Sequence, residues 1–422
     1  MAGDPRRIVL LTGNSLCHNP RAMKEATALA RAGYQVDVLG AWLDPELKAR
    51  DERLLKNLPF RFAPVLDAAL PGVSAAIDRL RQRAARKAAQ LAYDLTGAQN
   101  PLQLGLGIGR MLRLALRIPA QLYIAHSEPC LAVARRLLRA GRRVGVDMED
   151  WFSEDLLPEA RRHRPLGLLR TLEREVLRRG AYASCPSQVM SATLAATYDC
   201  PPPTVVYNAF AWSDRQGCDG VDRDRRERRV PSLHWFSTTL GPGRGLEDLL
   251  AALALLDREF EVHLRGNPAP GFAAWIEGRV PERWRGRVRL HPVVTNDELL
   301  PRIAEHDIGF AGEEPHCRSR DLTVTNKVLH YLLGGLAVVA SDTKGQGEVA
   351  ARAPGAVLLY PAGDAQALAS VLDRLLGSHE ALARAKAAAL AVARDFFCWE
   401  RQEPVLLDAI ERAVSYPTRV SR

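Results

Sequence analysis

Two cations stand where helices are expected to begin. Arg244 sits in Gly241-Pro242-Gly243-Arg244-Gly245, directly after an apolar run, and Lys327 follows Thr325-Asn326 ahead of a helical pattern. Glycines let a backbone approach phosphate oxygens, and the free N–H groups of a helix start favour an anion. A fixed positive charge there stabilises a diphosphate on which negative charge grows as a bond breaks. A Gly-rich loop by itself often only turns a corner, so two such helix starts in one half of the chain weigh more than either alone. Other polar groups close short β-type runs: Gly13 and Asn14 after Ile8 to Leu11, His126 after Leu122 to Ala125, and Asp147, Glu149 and Asp150 after Arg143 to Val146. Arg265, Gly266 and Asn267 follow Phe260 to Leu264, and Glu313 and Glu314 follow Ile308 to Ala311. Ligands of parallel α/β sheets bind outside the carboxyl ends of strands. The acids at these ends suit sugar or acceptor hydroxyls, or equally a helix cap and an exposed surface. His126 equally fits a buried histidine satisfied by backbone.

The elements that must position these groups alternate. A strand over Ile8 to Leu11 precedes a helix with Asn19 as cap and Pro20 in its first turn; Gly33 stops it, and Tyr34 to Gly40 forms a second strand. Strand, helix, strand at this spacing is a right-handed βαβ unit in a parallel sheet. The pattern recurs to Thr204 to Tyr207, which leads into Asn208, and residues 213–230 read as an exposed, charge-dense linker. It restarts with strands at Leu233 to Phe236, Phe260 to Leu264, Val288 to Leu290, Ile308 to Ala311, Ala337 to Ala340 and Val357 to Tyr360. The fold class is α/β, with two Rossmann-like domains of parallel strands. An N-terminal domain over residues 1–210 carries a helical basic insert at about 74–118. A C-terminal domain covers 211–395, and a helix over 396–422 crosses back to the first domain.

Bulk composition agrees with two domains: 422 residues, 47% hydrophobic and 25% charged. The net charge of +9 fits an anionic partner or simply an arginine-rich composition. Nucleic acid is disfavoured, because no zinc finger, RNP-like strand or basic coiled coil is present. The insert, with Arg79, Arg81, Arg83, Arg86, Lys87, Arg110, Arg113 and Arg117 among leucines and alanines, suits an anionic membrane surface or a solvated helix pair covering the sheet. Leu102 to Ile118 is broken by three arginines and falls short of the roughly 18 residues of a spanning helix. Arg6-Arg7 ahead of only four apolar residues reads as the start of a strand, not a leader. Seven cysteines without a C-x-x-C pair suggest free thiols in a reducing, cytoplasmic setting and no structural zinc. Neither half has G-x-G-x-x-G after its first strand, which disfavours a dehydrogenase.

Six stretches in order resemble the large group of retaining GT-B glycosyltransferases known as glycosyl transferases group 1, or family 4. They are Asn19 to Ala26 with Ala32 to Val36; Ala125-His126; Asp147 to Phe152, similar to the D-x-H-E-x-F turn; Val206-Tyr207-Asn208; Gly241 to Glu247; and Thr325-Asn326-Lys327 through Ser341-Asp342. The likeness spans nearly the whole chain and implies two domains facing a central cleft. It implies transfer of a sugar, with retention, from a nucleotide-diphospho-sugar, UDP- or GDP-linked, to a glycan, lipid-linked or other cell-surface acceptor. His126, Glu149, Arg244 and Lys327 would then be catalytic, with His126 against the donor sugar. Gly13, Asn14, Gly243, Arg265, Gly266, Asn267, Glu313, Glu314, Asn326 and His330 would bind the donor. No cofactor or metal is expected, since the cations neutralise the diphosphate, and the enzyme would work in the cytoplasm, with peripheral membrane contact allowed. The departures are specific. His330 stands where many members carry the second of two glutamates, Leu322 stands eight residues earlier, and Glu149 replaces a histidine. Thr238 and Thr239 precede the glycines where an arginine is common. A GT-B epimerase and a catalytically weak nucleotide-sugar-binding partner protein are the alternatives.

Overall fold

The computed structural model describes residues 6–68, 70, 73–225 and 230–415. Contacts divide them into two units. One holds the residues up to Pro186, Met190–Val206 and those from Glu403 on; the other holds Ser187–Val189 and Tyr207–Gln402. The last helix, Trp399–Ser415, is tied to the first unit by Arg6 Nη1 on Glu411 Oε2 at 2.7 Å and by Tyr34, whose hydroxyl donates to the same oxygen at 2.6 Å.

The first unit has a seven-stranded parallel sheet: β1 (Arg7–Thr12), β2 (Gln35–Trp42), β3 (Arg61–Asp67), β4 (Leu122–His126), β5 (Val144–Asp147), β6 (Tyr182–Cys185) and β7 (Thr204–Val205), in the order β3-β2-β1-β4-β5-β6-β7. The second has six: β8 (Ser232–Leu240), β9 (Glu261–Pro268), β10 (Val288–His291), β11 (Ile308–Ala311), β12 (Ala337–Ser341) and β13 (Val357–Tyr360), in the order β10-β9-β8-β11-β12-β13. Both are doubly wound. Each winds outward from its first strand, then returns to that strand's other side. The direction reverses between β1 and β4 and between β8 and β11, the places where such sheets open a crevice at their carboxyl ends. Central strands are buried on both faces, so Ile8–Leu11 and Val338–Ala340 are unbroken apolar runs without alternation.

Three features differ from the sequence reading. β3 is not legible because Pro64 interrupts it; a proline is tolerated there because β3 is an edge strand. β8 and β9 run on to Leu240 and Pro268, with a register shift between Phe236 and Thr239, so Arg265, Gly266 and Asn267 are strand residues. The 213–230 stretch, of which 226–229 lie outside the described residues, is the exposed loop or linker read from the sequence, but it is fastened at Arg223 to Arg225. The backbone N–H groups of Arg223 and Asp224 both donate to Glu305 Oε2 at 2.9 Å, and Arg225 pairs with Asp307 at 3.3 Å. Local polarity suggests exposure, but these charges find partners far along the chain.

The second unit buries a run of histidines along its sheet. His234 (β8), His263 (β9) and His306 (just before β11) are essentially unexposed, and His291 ends β10. The rings of His234 and His306 stack 4.7 Å apart, His306 lies 4.5 Å from His263, and His263 Nδ1 meets His291 Nε2 at 2.9 Å. His263 Nε2 reaches Glu261 Oε2 at 3.0 Å and His306 Nδ1 reaches Ser232 Oγ at 3.0 Å, while both nitrogens of His234 lack a partner. Burial, then Arg265, His263, His291 and His330, pushes His234 well below the usual histidine range; burial, then His234 and His263, does the same to His306. The folded state therefore holds these rings neutral, whereas the unfolded chain protonates near pH 6.5. Their contribution is complete above about pH 6.5 and is lost as pH falls below it, by up to about 1.4 kcal/mol per pH unit for each ring. Thermal unfolding is expected to drop by several degrees between pH 7.5 and 5.5, and His234→Leu should flatten that slope; a midpoint independent of pH would contradict it.

Candidate functional site

The second unit brings together the groups expected to take a diphosphate. β8 ends in a glycine turn in which Gly243 (φ +86) and Gly245 (φ +73) adopt left-handed backbone. Gly245 also presses on the turn after β11: a Cβ there would lie 2.7 Å from Gly312 Cα. Helix Leu246–Leu255 starts at once, and its Glu247 accepts the Gly243 N–H at 2.9 Å. Arg244 is half-buried and donates from Nη1 to Ser237 Oγ at 2.9 Å. Glu313 follows β11 and is fastened by Ser341, at the end of β12, whose Oγ accepts the Glu313 N–H and donates to its carbonyl, each at 2.8 Å. The buried Glu313 carboxylate takes Lys327 Nζ at 2.5 Å on one oxygen and Arg320 Nη1 at 3.3 Å on the other. Lys327 also lies 5.3 Å over the Trp235 ring.

Charge here is lopsided. Burial would raise Glu313, but Lys327, Arg320 and Arg244 outweigh it and hold the carboxyl below its ordinary value. Burial lowers Lys327, opposed by Glu313 and assisted by Arg244 and Arg320. Two cations contact the Glu313 carboxylate and a third, Arg244, acts on it through space, at the carboxyl ends of the two strands that flank the switch point. Such a cluster accepts a polyanion. Arg320 is a member that sequence reasoning missed; it has no helix-start signal, and only the turn after β11 brings Glu313 to it.

The remaining expected residues of this unit divide. Asn326 is exposed at its helix start and its Oδ1 accepts from Asn208 Nδ2 at 3.0 Å. Glu314 keeps 41% of its side chain exposed. His330, four residues into the same helix, contacts the Asn326 carbonyl through Nδ1 at 3.0 Å, and its ring lies 3.5 Å from that of Phe210 and 5.4 Å from that of Phe236. Gly266 allows β9 to pass β8, since a Cβ would sit 2.6 Å from the Ser237 carbonyl oxygen, and Asn267 is exposed beyond it. Arg265 is buried, pairs with Asp224, and donates to the Pro292 carbonyl at 2.7 Å. Its guanidinium is thus committed inside the unit. Asp222-Arg223-Asp224 has the Asp-x-Asp spacing of metal-binding triplets, yet Asp224 is held by Arg265 and by Arg302 at 3.3 Å.

In the first unit, the turn after β1 is exposed at Asn14, and Gly13 donates to Ser127 Oγ at 3.0 Å; a Cβ on Gly13 would strike Pro129 at 2.5 Å. Ser127, just past β4, has a left-handed φ of 75, an uncommon strain at a strand end. His126 is fully buried. Its Nδ1 lies 2.8 Å from Glu149 Oε1 and its Nε2 lies 2.9 Å from Glu25 Oε2, at ion-pair distance but outside hydrogen-bond angle. Glu149 is 23% exposed at the side chain and accepts from Asn19 Nδ2 at 2.7 Å; Asn19 in turn caps helix Pro20–Arg31 through Ala22 N. Arg21 Nε pairs with Asp147 Oδ2 at 2.6 Å and Arg21 Nη1 reaches the Val206 carbonyl at 2.7 Å. The turn carrying Glu149 is anchored further on, where Ser153 donates from N and Oγ to the buried Glu173 at 2.9 and 2.7 Å.

Donor atoms of Glu25, His126 and Asp147 lie within 4.8 Å of one another. Arg21 already places a cation on Asp147 there, so the set fits an internal ion-pair network better than a metal centre. Arg21 and Glu25 were not singled out from the sequence. Their signal is available: at i and i+4 they share the buried helix face with Ala22, Ala26 and Leu29.

No family model and no curated protein matches the chain. Solved structures do. HepE of Anabaena, in complex with UDP-glucose, aligns with a TM-score of 0.67 at 16% identity over 96% of this chain and 99% of that one. The sucrose-phosphate synthase of Thermosynechococcus elongatus aligns at 0.70 and 13% identity over 97% and 99%. The UDP-forming α,α-trehalose-phosphate synthase of Burkholderia xenovorans aligns at 0.66 and 12% identity over 97% and 100%. With two doubly wound parallel sheets in one chain, matched along nearly its whole length by these structures, the protein has the GT-B glycosyltransferase fold.

Proposed function

We propose that this chain is a retaining glycosyltransferase that takes a UDP- or GDP-linked sugar and passes the sugar to a glycan or lipid-linked acceptor. The observation that carries this reading is the gathering of cations around Glu313, with Arg320 and Lys327 on its carboxylate and Arg244 acting on it through space, at the carboxyl ends of β8 and β11. Breaking the bond from the anomeric carbon to phosphate leaves charge on the diphosphate, and this cluster is built to receive it without a metal. In this reading Arg244 and Lys327 are its catalytic groups, and Asn326 and Glu314 would hold donor hydroxyls. In the other unit Glu149 is the exposed acid that would meet a hydroxyl. HepE holding UDP-glucose and a UDP-forming synthase supports UDP as the first donor to try. A thermal-shift screen against UDP, GDP, ADP, dTDP and their sugars tests the reading. Stabilisation by one nucleoside diphosphate, with transfer to an added acceptor, supports it. Binding without turnover would instead favour the catalytically weak partner protein, a reading drawn from His330 packing on Phe210 in the second-glutamate position. Release of an epimer without acceptor would identify an epimerase.

We infer further that the enzyme works at the cytoplasmic face of an anionic membrane. Helix Val73–Thr96 exposes Ile77, Leu80, Leu91 and Leu95 at 44, 68, 59 and 76%. Their spacing of three, eleven and four residues puts them on one stripe, and Arg81, Arg83 and Lys87 are exposed on the same helix. Among the described residues no helix is long and apolar enough to cross a membrane. Flotation with phosphatidylglycerol vesicles should carry the protein, and an Arg81→Glu, Arg83→Glu, Lys87→Glu variant should lose most of that binding, at about 1 kcal/mol per basic residue removed. Equal flotation of both proteins would contradict the inference.

A further inference from the structure

The first unit buries more charge than a fold needs, and it does so behind one half-buried acid. Glu25 (on helix Pro20–Arg31), His126 (β4), Asp147 (β5) and Arg21 are all buried, and only Glu149 reaches solvent. The contacts form a line: Glu25 Oε2 to His126 Nε2 at 2.9 Å, His126 Nδ1 to Glu149 Oε1 at 2.8 Å, Asn19 Nδ2 to the same Oε1 at 2.7 Å. The charged groups that act on His126 are Glu25 from the helix and Asp147 and Glu149 from β5 and its turn; Arg21 sits on Asp147, and Tyr182 on β6 is raised by burial and by Glu25 and Asp147. Both imidazole nitrogens lie within ion-pair distance of a carboxylate oxygen, and two opposite charges this close favour the protonated ring. Three carboxylates against Arg21 alone also leave the cluster short of positive charge.

We propose that Glu25 is a positioning residue: from the buried side it holds His126 as an imidazolium, and His126 in turn orients Glu149 as an acceptor for a hydroxyl at the carboxyl end of β5. This rests on the transferase reading above only for the identity of that hydroxyl. Burial opposes a charged imidazole, but Glu25, Glu149 and Asp147 overcome it and bring His126 to about 10. Losing Glu25 therefore returns His126 toward neutrality near pH 8. It also removes the N–H donated to Glu149 in one of the two tautomers, leaving Asn19 alone to orient that oxygen.

The test reads the ring directly. The full chain is labelled with 15N-histidine, and His126→Gln assigns the His126 signals among the ten histidines. At pH 8 the wild-type ring is expected to be protonated on both nitrogens, and Glu25→Gln should convert it to a neutral ring. With the donor identified in the thermal-shift screen, Glu25→Gln should lower kcat by roughly 10- to 100-fold, the range of outer partners that orient a functional group, with KM for the donor little changed. Activity of the variant should recover as the pH is lowered and His126 regains its proton, which a merely structural role would not produce. A neutral wild-type ring at pH 8 overturns the proposal without need of any variant. So does an imidazolium unchanged in Glu25→Gln, or a variant kcat equal to that of the wild type. An intact imidazolium in a wild-type protein that turns over no nucleotide-sugar would defeat the transferase reading while supporting the Glu25–His126 pairing.

Discussion

Arg244→Ala should abolish stabilisation by the nucleoside diphosphate and lower turnover by about 10²- to 10³-fold, the usual loss when one fixed donor to developing charge is removed. The protein itself should unfold almost as before. Arg244 is half-buried and, among the described residues, its side chain bonds a serine hydroxyl, so no buried charge is stranded. Lys327 behaves differently. It is buried against Glu313, and Lys327→Ala leaves that carboxylate with Arg320 at 3.3 Å as its remaining ion-pair partner. Removing one partner of a buried pair costs about 3–5 kcal/mol, so loss of ligand response in Lys327→Ala is confounded by loss of fold. A Glu313→Gln, Lys327→Met double variant strands no charge and should recover much of that stability, while nucleotide binding stays weak. Differential scanning fluorimetry with and without the diphosphate separates the two cases. An Arg244→Ala protein that still responds to the ligand as the wild type does would remove the cation cluster from the function.

Arg21→Met is expected to be the most damaging single change in the first unit. Arg21 is 7% exposed, Asp147 is 2% exposed, and Nε lies 2.6 Å from Oδ2. Without the guanidinium, Asp147 loses the cation paired with it inside the protein, and the Val206 carbonyl loses its donor. The cost is again about 3–5 kcal/mol, which at about 2–4 °C per kcal/mol lowers the unfolding midpoint of a unit this size by roughly 10 °C. Asp147→Asn together with Arg21→Met should restore part of it, since a neutral amide does not demand a counter-charge. Thermal unfolding of the three variants by circular dichroism checks the order: wild type, then the double variant, then Arg21→Met. An unchanged midpoint in Arg21→Met would mean that the pair is unimportant to folding.

Local sequence determined a great deal. Continuous apolar runs such as Ile8 to Leu11 and Ala337 to Ala340, punctuated by Gly33 and Gly334-Gly335, announced buried parallel strands with helices between them, because a strand covered on both faces has no polar side to show. The glycine turn with Arg244, and Asn326-Lys327, were legible for the same reason: a helix start is a short-range pattern of caps and breakers. β3 was hidden by Pro64, whose missing N–H matters only if the strand has neighbours on both sides, a fact of sheet order and not of sequence. What the charges do was decided by tertiary structure. Arg265 and Asp224, 41 residues apart, neutralise each other, while Arg244, Arg320 and Lys327 converge on Glu313 and leave a surplus. Arg21, Glu25, His126 and Asp147 look like ordinary helix and strand-end residues until β4 and β5 are placed beside helix Pro20–Arg31. Hydrophobic periodicity is written within a few residues, so it can be read locally. Coulomb partners are chosen by distance in space and by exclusion of water, and neither exists until the chain has folded.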